Sequence, residues 1–260
     1  MSGAEIIFVS GLRKSYGTVT ALDGISFSVG SGEVFGIVGP NGAGKTTLME
    51  CLVGLRQPDS GEMRVLGLDP ARQGRKLHER IGVQLQESAL PEGIKVEEAL
   101  CLFASLYPHA VDTRTLLRDW GLQQKRKARF ASLSGGQRQR LFIALALVND
   151  PSVVFLDELT AGLDPEARHA SWDLIDSLRA RGVTIVLVTH AMEEAEALCD
   201  RVAIMDHGRL LALDTPRRLI QDTVGDSTVS RRRQRRAATL EDAYLAVTSA
   251  ATIVERKASK

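Results

Sequence analysis

Gly39-Pro40-Asn41-Gly42-Ala43-Gly44-Lys45-Thr46-Thr47 is the stretch from which the rest of this sequence can be read. It matches G-x-x-x-x-G-K-[ST], the phosphate-binding P-loop or Walker A pattern. The apolar run Val34-Phe35-Gly36-Ile37-Val38 leads into it, and Leu48, Met49, Leu52 and Leu55 follow it at helical spacing. Strand, glycine-rich loop and helix in that order are the context the motif needs. The glycines let the backbone curl closely around a ligand. Successive N–H groups then point into one anion-binding concavity, and the helix beginning near Lys45 adds its positive end. Lys45 is expected to reach the β- and γ-phosphates of a nucleotide, and the Thr46 hydroxyl to ligate Mg2+.

The bulk properties narrow the class. The chain has 260 residues, 44% hydrophobic and 25% charged, ordinary for a globular protein with a full core. A formal net charge of +1 supplies no global pull toward nucleic acid. Three cysteines, Cys51, Cys101 and Cys199, stand far apart without disulfide or zinc spacing, which suits a reducing cytosol. The opening residues hold Glu5 and no long apolar run, so no secretory signal is expected. Nor is there a run of about 18 apolar residues to span a membrane. Any work at a membrane would need another polypeptide for the spans.

Outside the P-loop, strands and helices alternate. Residues 6–9 and 25–29 read as short strands of a β-rich opening unit, 62–66 as a strand after the Pro58-Asp59-Ser60-Gly61 turn, and 81–86 as a strand with a polar tip. Residues 96–148 are helical in period: Val96, Ala99, Leu100, Phe103 and Leu106 form one stripe, 113–120 a second and 136–148 a third. They read as a helical subdomain, about 87–150, inserted between core strands. Val153-Val154-Phe155-Leu156 and Thr184-Ile185-Val186-Leu187-Val188 are near-continuous apolar runs, as in strands buried on both faces of a parallel sheet. Asp164 and Pro165 open a helix ended by Gly182, a helix follows at 192–199, and 202–213 reads as a hairpin. The cassette so outlined spans 1–221. Residues 222–260 form an extension with the basic run Arg231-Arg232-Arg233-Gln234-Arg235-Arg236 and a short helix at 239–247. The basic run is either a solvated linker or a contact for anionic lipid. The alternation argues for an α/β parallel sheet.

Such a sheet places ligands at its carboxyl edge. There stand Asp157 and Glu158, at the end of an apolar strand, a costly pair unless a cation or proton compensates. Leu133-Ser134-Gly135-Gly136-Gln137 lies upstream, with Ser134 a good helix N-cap and the glycines open to a phosphate.

With these three motifs together, residues 6–219 resemble the ATP-binding subunits of ABC transporters. The resemblance implies a P-loop NTPase (RecA-like) parallel-sheet core with an N-terminal antiparallel β subdomain and an inserted helical subdomain. It implies ATP and Mg2+ as ligands, with the backbone from Gly39 to Thr47 around the phosphates. Asp157, Thr46 and Gln86 would hold the metal, Glu158 would be the general base, and His190 the switch histidine on the γ-phosphate. Tyr16 would stack on adenine. Gln86 fits Ile81-Gly82-x-x-x-Gln86 better than its neighbour Gln84. Ser134, Gly135, Gly136 and Gln137, with Asp164 of Ala161-Gly162-Leu163-Asp164, would meet the ATP of a second protomer in a head-to-tail dimer, a homodimer or a heterodimer. The expected partner is a transmembrane permease, giving a cytoplasmic protein peripheral on the membrane, with no nucleic acid bound. Leu159 stands where the family usually has Pro. Leu240-Glu241-Asp242-Ala243-Tyr244-Leu245 is similar to the tail of the daunorubicin-resistance exporter branch. A soluble ABC ATPase acting on ribosomes or DNA is the alternative, but such proteins carry two cassettes or a long inserted coiled coil. The other histidines, His78, His109, His169 and His207, match no motif and read as surface.

Overall fold

Val34–Val38, Val153–Asp157 and Thr184–Thr189 are strands in which every residue is buried, as their apolar runs predict. The computed structural model describes residues 4–86, 88–160, 162–225 and 238–258. The Arg231–Arg236 run and Ala161 lie outside the described residues. In chain order the elements are β1 (Glu5–Tyr16), β2 (Val19–Gly30), β3 (Val34–Val38), α1 (Lys45–Leu52), β4 (Ser60–Val65), α2 (Pro70–His78) and β5 (Ile81–Gln84). Then come α3 (Val96–Ala104), α4 (Thr113–Asp119), α5 (Gly135–Ala146), β6 (Val153–Asp157), α6 (Pro165–Ala180), β7 (Thr184–Thr189) and α7 (Met192–Leu198). The chain continues through β8 (Arg201–Asp206), β9 (Arg209–Asp214), α8 (Pro216–Gly225) and α9 (Leu240–Ala258). Among the described residues no helix is long and apolar enough to cross a membrane.

The larger sheet has the order β5-β6-β7-β3-β8-β9, parallel from β5 to β8, with β9 returning antiparallel as a hairpin. Alternate residues of its strands face two different cores. Val34, Val38, Val154, Leu156, Ile185 and Leu187 join the helices of the 96–146 region and α6. Phe35, Ile37, Val153, Phe155, Val186 and Val188 face the first sheet and α1. Each fully buried Val, Leu, Ile or Phe contributes about 1.5–3 kcal/mol, which makes this two-faced sheet the main source of stability. That first sheet, β2-β1-β4, is antiparallel.

Several boundaries differ from the sequence reading. β1 and β2 are each 12 residues long and carry register shifts, which let Gly- and Lys-containing stretches stay in the ladder. α2 carries no apolar stripe, only Pro70 and Leu77 buried, so its periodicity is silent; its marks are the Asp69 cap and Pro70. The α3 stripe stops at Ala104, and Leu106 is 67% exposed rather than packed. His78 is half-buried, with its ring Nε2 2.7 Å from the Val53 carbonyl, because α2 lies against the end of α1. α9 is 19 residues long, more than the short helix expected, and its Leu240 and Ala243 are fully buried in the helical core. The Leu240 N–H also donates to a Glu196 carboxylate oxygen on α7 at 2.8 Å.

β5 and β6 are neighbours in the sheet, yet the chain between them contains α3, α4 and α5. The insertion is seated by a close approach: a Cβ on Gly82 of β5 would lie 2.0 Å from the Ala146 carbonyl oxygen at the end of α5. Gly82→Ala is therefore expected to force helix and strand apart and lower stability by about 1–3 kcal/mol. Urea unfolding checks this, and an unchanged midpoint would mean that α5 is not pressed on β5.

Candidate active site

β3 delivers the chain to the P-loop, and α1 starts with Gly44 as its N-cap. Gly44 has φ 95°, and a Cβ there would lie 2.3 Å from the Ala21 carbonyl oxygen on β2. Only glycine satisfies both demands, so the loop is moulded against the first sheet. No side chain caps α1, which leaves its first-turn N–H groups open to an anion. Asn41, Gly42 and Thr46 are exposed, whereas Lys45 is buried. The Lys45 ammonium donates to the carbonyl oxygens of Gly39 at 2.8 Å and Pro40 at 3.0 Å. Burial pulls its pKa down, against the opposing charges of Glu158 and Asp157.

β6 ends in Asp157, which is 1% exposed, and Glu158 follows it. Among the described residues, Asp157 Oδ2 is buried with no hydrogen-bond partner. Burial, and next the Glu158 charge, push the Asp157 carboxyl up from 3.8 to about 6; Lys45 works the other way. Glu158 sits at φ 54°, a left-handed conformation that costs a non-glycine residue about 1–3 kcal/mol. Its backbone N–H donates to the Val188 carbonyl at 2.8 Å, and a carboxylate oxygen meets His190 Nδ1 at 2.5 Å. His190 follows β7, and β7 lies between β6 and β3. The sheet order thus brings Lys45, Asp157, Glu158 and His190 to one carboxyl edge, where doubly covered parallel sheets bind ligands. An unpartnered buried carboxylate oxygen beside a second carboxylate fits a divalent cation, with the exposed Thr46 hydroxyl an oxygen ligand of the kind Mg2+ takes. Leu159 is fully buried in the helical core, so the departure at that position is filled by packing.

The other sequence-selected residues lie elsewhere. β5 ends at Gln84, not at Gln86, which is exposed on the turn beyond it. Tyr16, at the end of β1, is 40% exposed, with the Lys14 ammonium and Arg56 guanidinium 5.6 and 5.5 Å from its ring centre. Ser134 caps α5 in a capping box: its hydroxyl accepts from the Gln137 N–H at 3.3 Å, and the Gln137 side chain accepts from the Ser134 N–H at 3.1 Å. Asp164 caps α6, its carboxylate accepting from the Ala167 N–H at 2.9 Å. Ser134, Gly135, Gly136, Gln137 and Asp164 share a cleft of about 370 Å³ lined by none of the P-loop residues. Of two further buried polar residues near the site, Glu194 was not singled out in the sequence and Gln84 only as the less favoured neighbour of Gln86. Glu194 on α7 is fully buried, and burial pushes its carboxyl up. Gln84 is 5% exposed; a polar residue inside a strand flanked by apolar burial was the available signal.

Comparison with known proteins agrees with this geometry. Residues 22–161 match the family described as ABC transporter. "Nod factor export ATP-binding protein I" of Rhizobium sp. (strain N33) is 43% identical over 226 residues, which cover 84% of this chain and 74% of that protein. A solved ATP-binding subunit of an ABC transporter superposes with a TM-score of 0.79 at 28% identity, covering 94% of this chain and 99% of that one. An ATP-binding cassette solved in its ADP conformation gives 0.76 at 26% identity, over 86% of this chain and 96% of that one. With the family matched over more than half its length, and its P-loop strand, loop and helix in place, this chain belongs to the ABC transporter family as an ATP-binding cassette.

Proposed function

We propose that this chain is the ATP-hydrolysing subunit of an ABC exporter, binding Mg-ATP between two identical copies packed head to tail and driving a separate transmembrane permease. The observation that carries the reading is the division of the motifs. Lys45, Asp157, Glu158 and His190 gather at one sheet edge, while Ser134 and its glycines line a separate cleft. An ATP on the P-loop then needs the signature residues of a second copy. The filled catalytic positions support two equal sites, hence a homodimer. The names of the export relatives support export, as does the tail at Leu240 to Leu245 resembling the daunorubicin-resistance branch. We place the cassette at 1–221, with its helical subdomain at about 87–150, on the cytoplasmic face of the membrane.

In this site Lys45 and the P-loop N–H groups, including those of Gly39, Gly42, Gly44, Lys45, Thr46 and Thr47, hold the β- and γ-phosphates. Tyr16 stacks on adenine. Thr46, Asp157 and, from the turn beyond β5, Gln86 would hold Mg2+, which would neutralise charge on the phosphates. Glu158 orients water for in-line attack on the γ-phosphorus and takes its proton as the bond to the β-phosphate oxygen breaks. The Glu158–His190 contact keeps both side chains aimed at that reaction centre. Ser134, Gly135, Gly136 and Gln137 close on the γ-phosphate from the other copy, with Asp164 beside them. An apolar groove of about 360 Å³ adjoins the Gln86 turn, lined by Leu85, Leu90, Phe103, Tyr107 and Phe142. It is the surface we assign to a permease segment, where a shift of the helices on ATP binding would be felt.

Glu158→Gln is expected to keep ATP affinity while hydrolysis falls about 10²–10⁴-fold, the size of a general-base contribution. ATP should hold that variant as a dimer in sizing chromatography, and adding Ser134→Arg should return it to a monomer; a persistent dimer would sink the shared-site geometry. Trapped with ATP in cells and solubilised gently, the Glu158→Gln chain should co-purify with a multi-span membrane protein. Recovery with ribosomes or DNA would instead favour the soluble ATPase reading.

Asp157 carries a stability consequence. Its folded pKa of about 6 lies above the unfolded 3.8, so the folded state binds its proton more tightly. Ionisation therefore weakens the fold as pH rises through that window, fully above about pH 6. Asp157→Asn should abolish Mg-dependent hydrolysis yet raise the unfolding midpoint of the nucleotide-free chain at pH 8 by a few degrees, a gain that disappears below about pH 4. Differential scanning calorimetry at both pH values measures it.

A further inference from the structure

Gln84 is a buried polar residue that the ATPase reading leaves without a task. It ends β5 and makes three contacts with its side-chain amide. The NH2 group donates to the Leu85 carbonyl at 3.1 Å and to the Asp157 carbonyl at 3.4 Å. The amide oxygen accepts from the side-chain NH2 of Gln139 on α5 at 3.4 Å. A buried amide is rarely found without such partners, and here they lie on the residue after β5, on β6 and on α5.

The geometry of the sheet explains why Gln84 reaches Asp157. The N–H and C=O of one planar trans peptide point in opposite directions. The Glu158 N–H is bonded to Val188 on β7, so the Asp157 carbonyl points the other way, toward β5. The β5–β6 pairing runs only to Gln84 opposite Leu156. One residue further on, where β5 has turned away, the side chain of Gln84 meets the backbone of Asp157 in place of the missing strand. That carbonyl belongs to the peptide joining Asp157 to Glu158, so its position governs where both carboxylates stand. On the other side, Gln139 rides on the helix that Ser134 caps.

We propose that Gln84 and Gln139 form a positioning relay, which carries the seating of the signature helix α5 to the peptide bearing Asp157 and Glu158. Neither residue touches nucleotide in this scheme. Gln84 fixes the carboxylates, and Gln139 ties Gln84 to the helix that meets the second protomer's ATP. A site whose carboxylates are aligned only while α5 is seated hydrolyses ATP when the dimer is closed and idles otherwise. The P-loop stands on β3, separated from β5 by β6 and β7, so ATP affinity itself is not governed by the relay.

The proposal rests on the ATPase reading above, and the test separates the two. Full-length wild type, Gln84→Met, Gln139→Leu and the double variant are assayed for steady-state ATP hydrolysis against both ATP and Mg2+. Each single change should lower kcat about 3- to 10-fold, the scale of one hydrogen bond lost at a transition state, with KM for ATP within about two-fold. The Mg2+ concentration for half-maximal rate should rise, because the Asp157 carboxylate is misplaced; a purely structural role would not move it. The double variant should be no worse than the worse single one, the non-additivity expected of two residues in one chain of contacts. Losses that multiply, or kcat and Mg2+ requirement both within two-fold of wild type, overturn the relay. If Gln84→Met fails to fold, Gln139→Leu and Gln139→Ala, on the half-buried face of α5, decide by the same kcat and Mg2+ criteria. Absence of hydrolysis in wild type overturns the ATPase reading itself, and the relay with it, whereas activity lost in Glu158→Gln but untouched in the relay variants overturns the relay alone.

Discussion

A buried carboxylate pair facing a buried ammonium is the constraint on which this structure turns. Asp157 and Glu158 are adjacent, Asp157 Oδ2 has no hydrogen-bond partner among the described residues, and the Lys45 cation only partly opposes the rise of the Asp157 pKa. Taking carboxylates out of water is costly, and two of them repel. Lys45 relieves only part of this, since its own ammonium is destabilised by burial and spends its hydrogen bonds on the Gly39 and Pro40 carbonyls. Such a site is poised for a ligand that brings both a cation and phosphate oxygens. The left-handed Glu158 backbone adds to the same account: strain is kept where the chemistry is needed.

The sheet is what can bear that cost. β3, β6 and β7 are buried on both faces, and alternate side chains feed two separate cores. Their carboxyl ends are consequently rigid, and the loops leaving them hold Lys45, Glu158 and His190 in one place. The order β6-β7-β3 puts the histidine strand between the carboxylate strand and the phosphate strand. The first sheet supports the arrangement from the side, with the Ala21 carbonyl pressed against Gly44.

The helices between β5 and β6 serve a different end. Gly82 lets α5 approach the sheet closely, and the Gln139–Gln84–Asp157 contacts join its first turns to the backbone carbonyl of Asp157. α9 does something comparable at the other side. It buries Leu240 and Ala243 in the helical core and bonds α7, the helix that follows His190. Both attachments place elements outside the sheet in mechanical contact with the site edge.

Local chemistry made much of this legible in the amino-acid sequence. The P-loop, the apolar strands ending in Asp157 or preceding His190, and the Ser134 and Asp164 caps each depend on neighbours in sequence, so residue type and spacing are enough to find them. The family resemblance carried by those motifs agrees with the fold. Leu159 in place of the family's usual Pro changes backbone stiffness just past Glu158 but removes no chemical group. Tertiary structure decided what depends on distant partners. α2 has too few buried residues to leave a period, and its cap alone marks it. Leu106 matches the α3 stripe, but the helix ends before reaching it. Gln84 looked like a weaker copy of Gln86 until the end of β5 placed it, buried, beneath the Asp157 carbonyl. The raised pKa of Asp157 likewise belongs to no local pattern: burial by a sheet assembled from segments more than a hundred residues apart in sequence creates it.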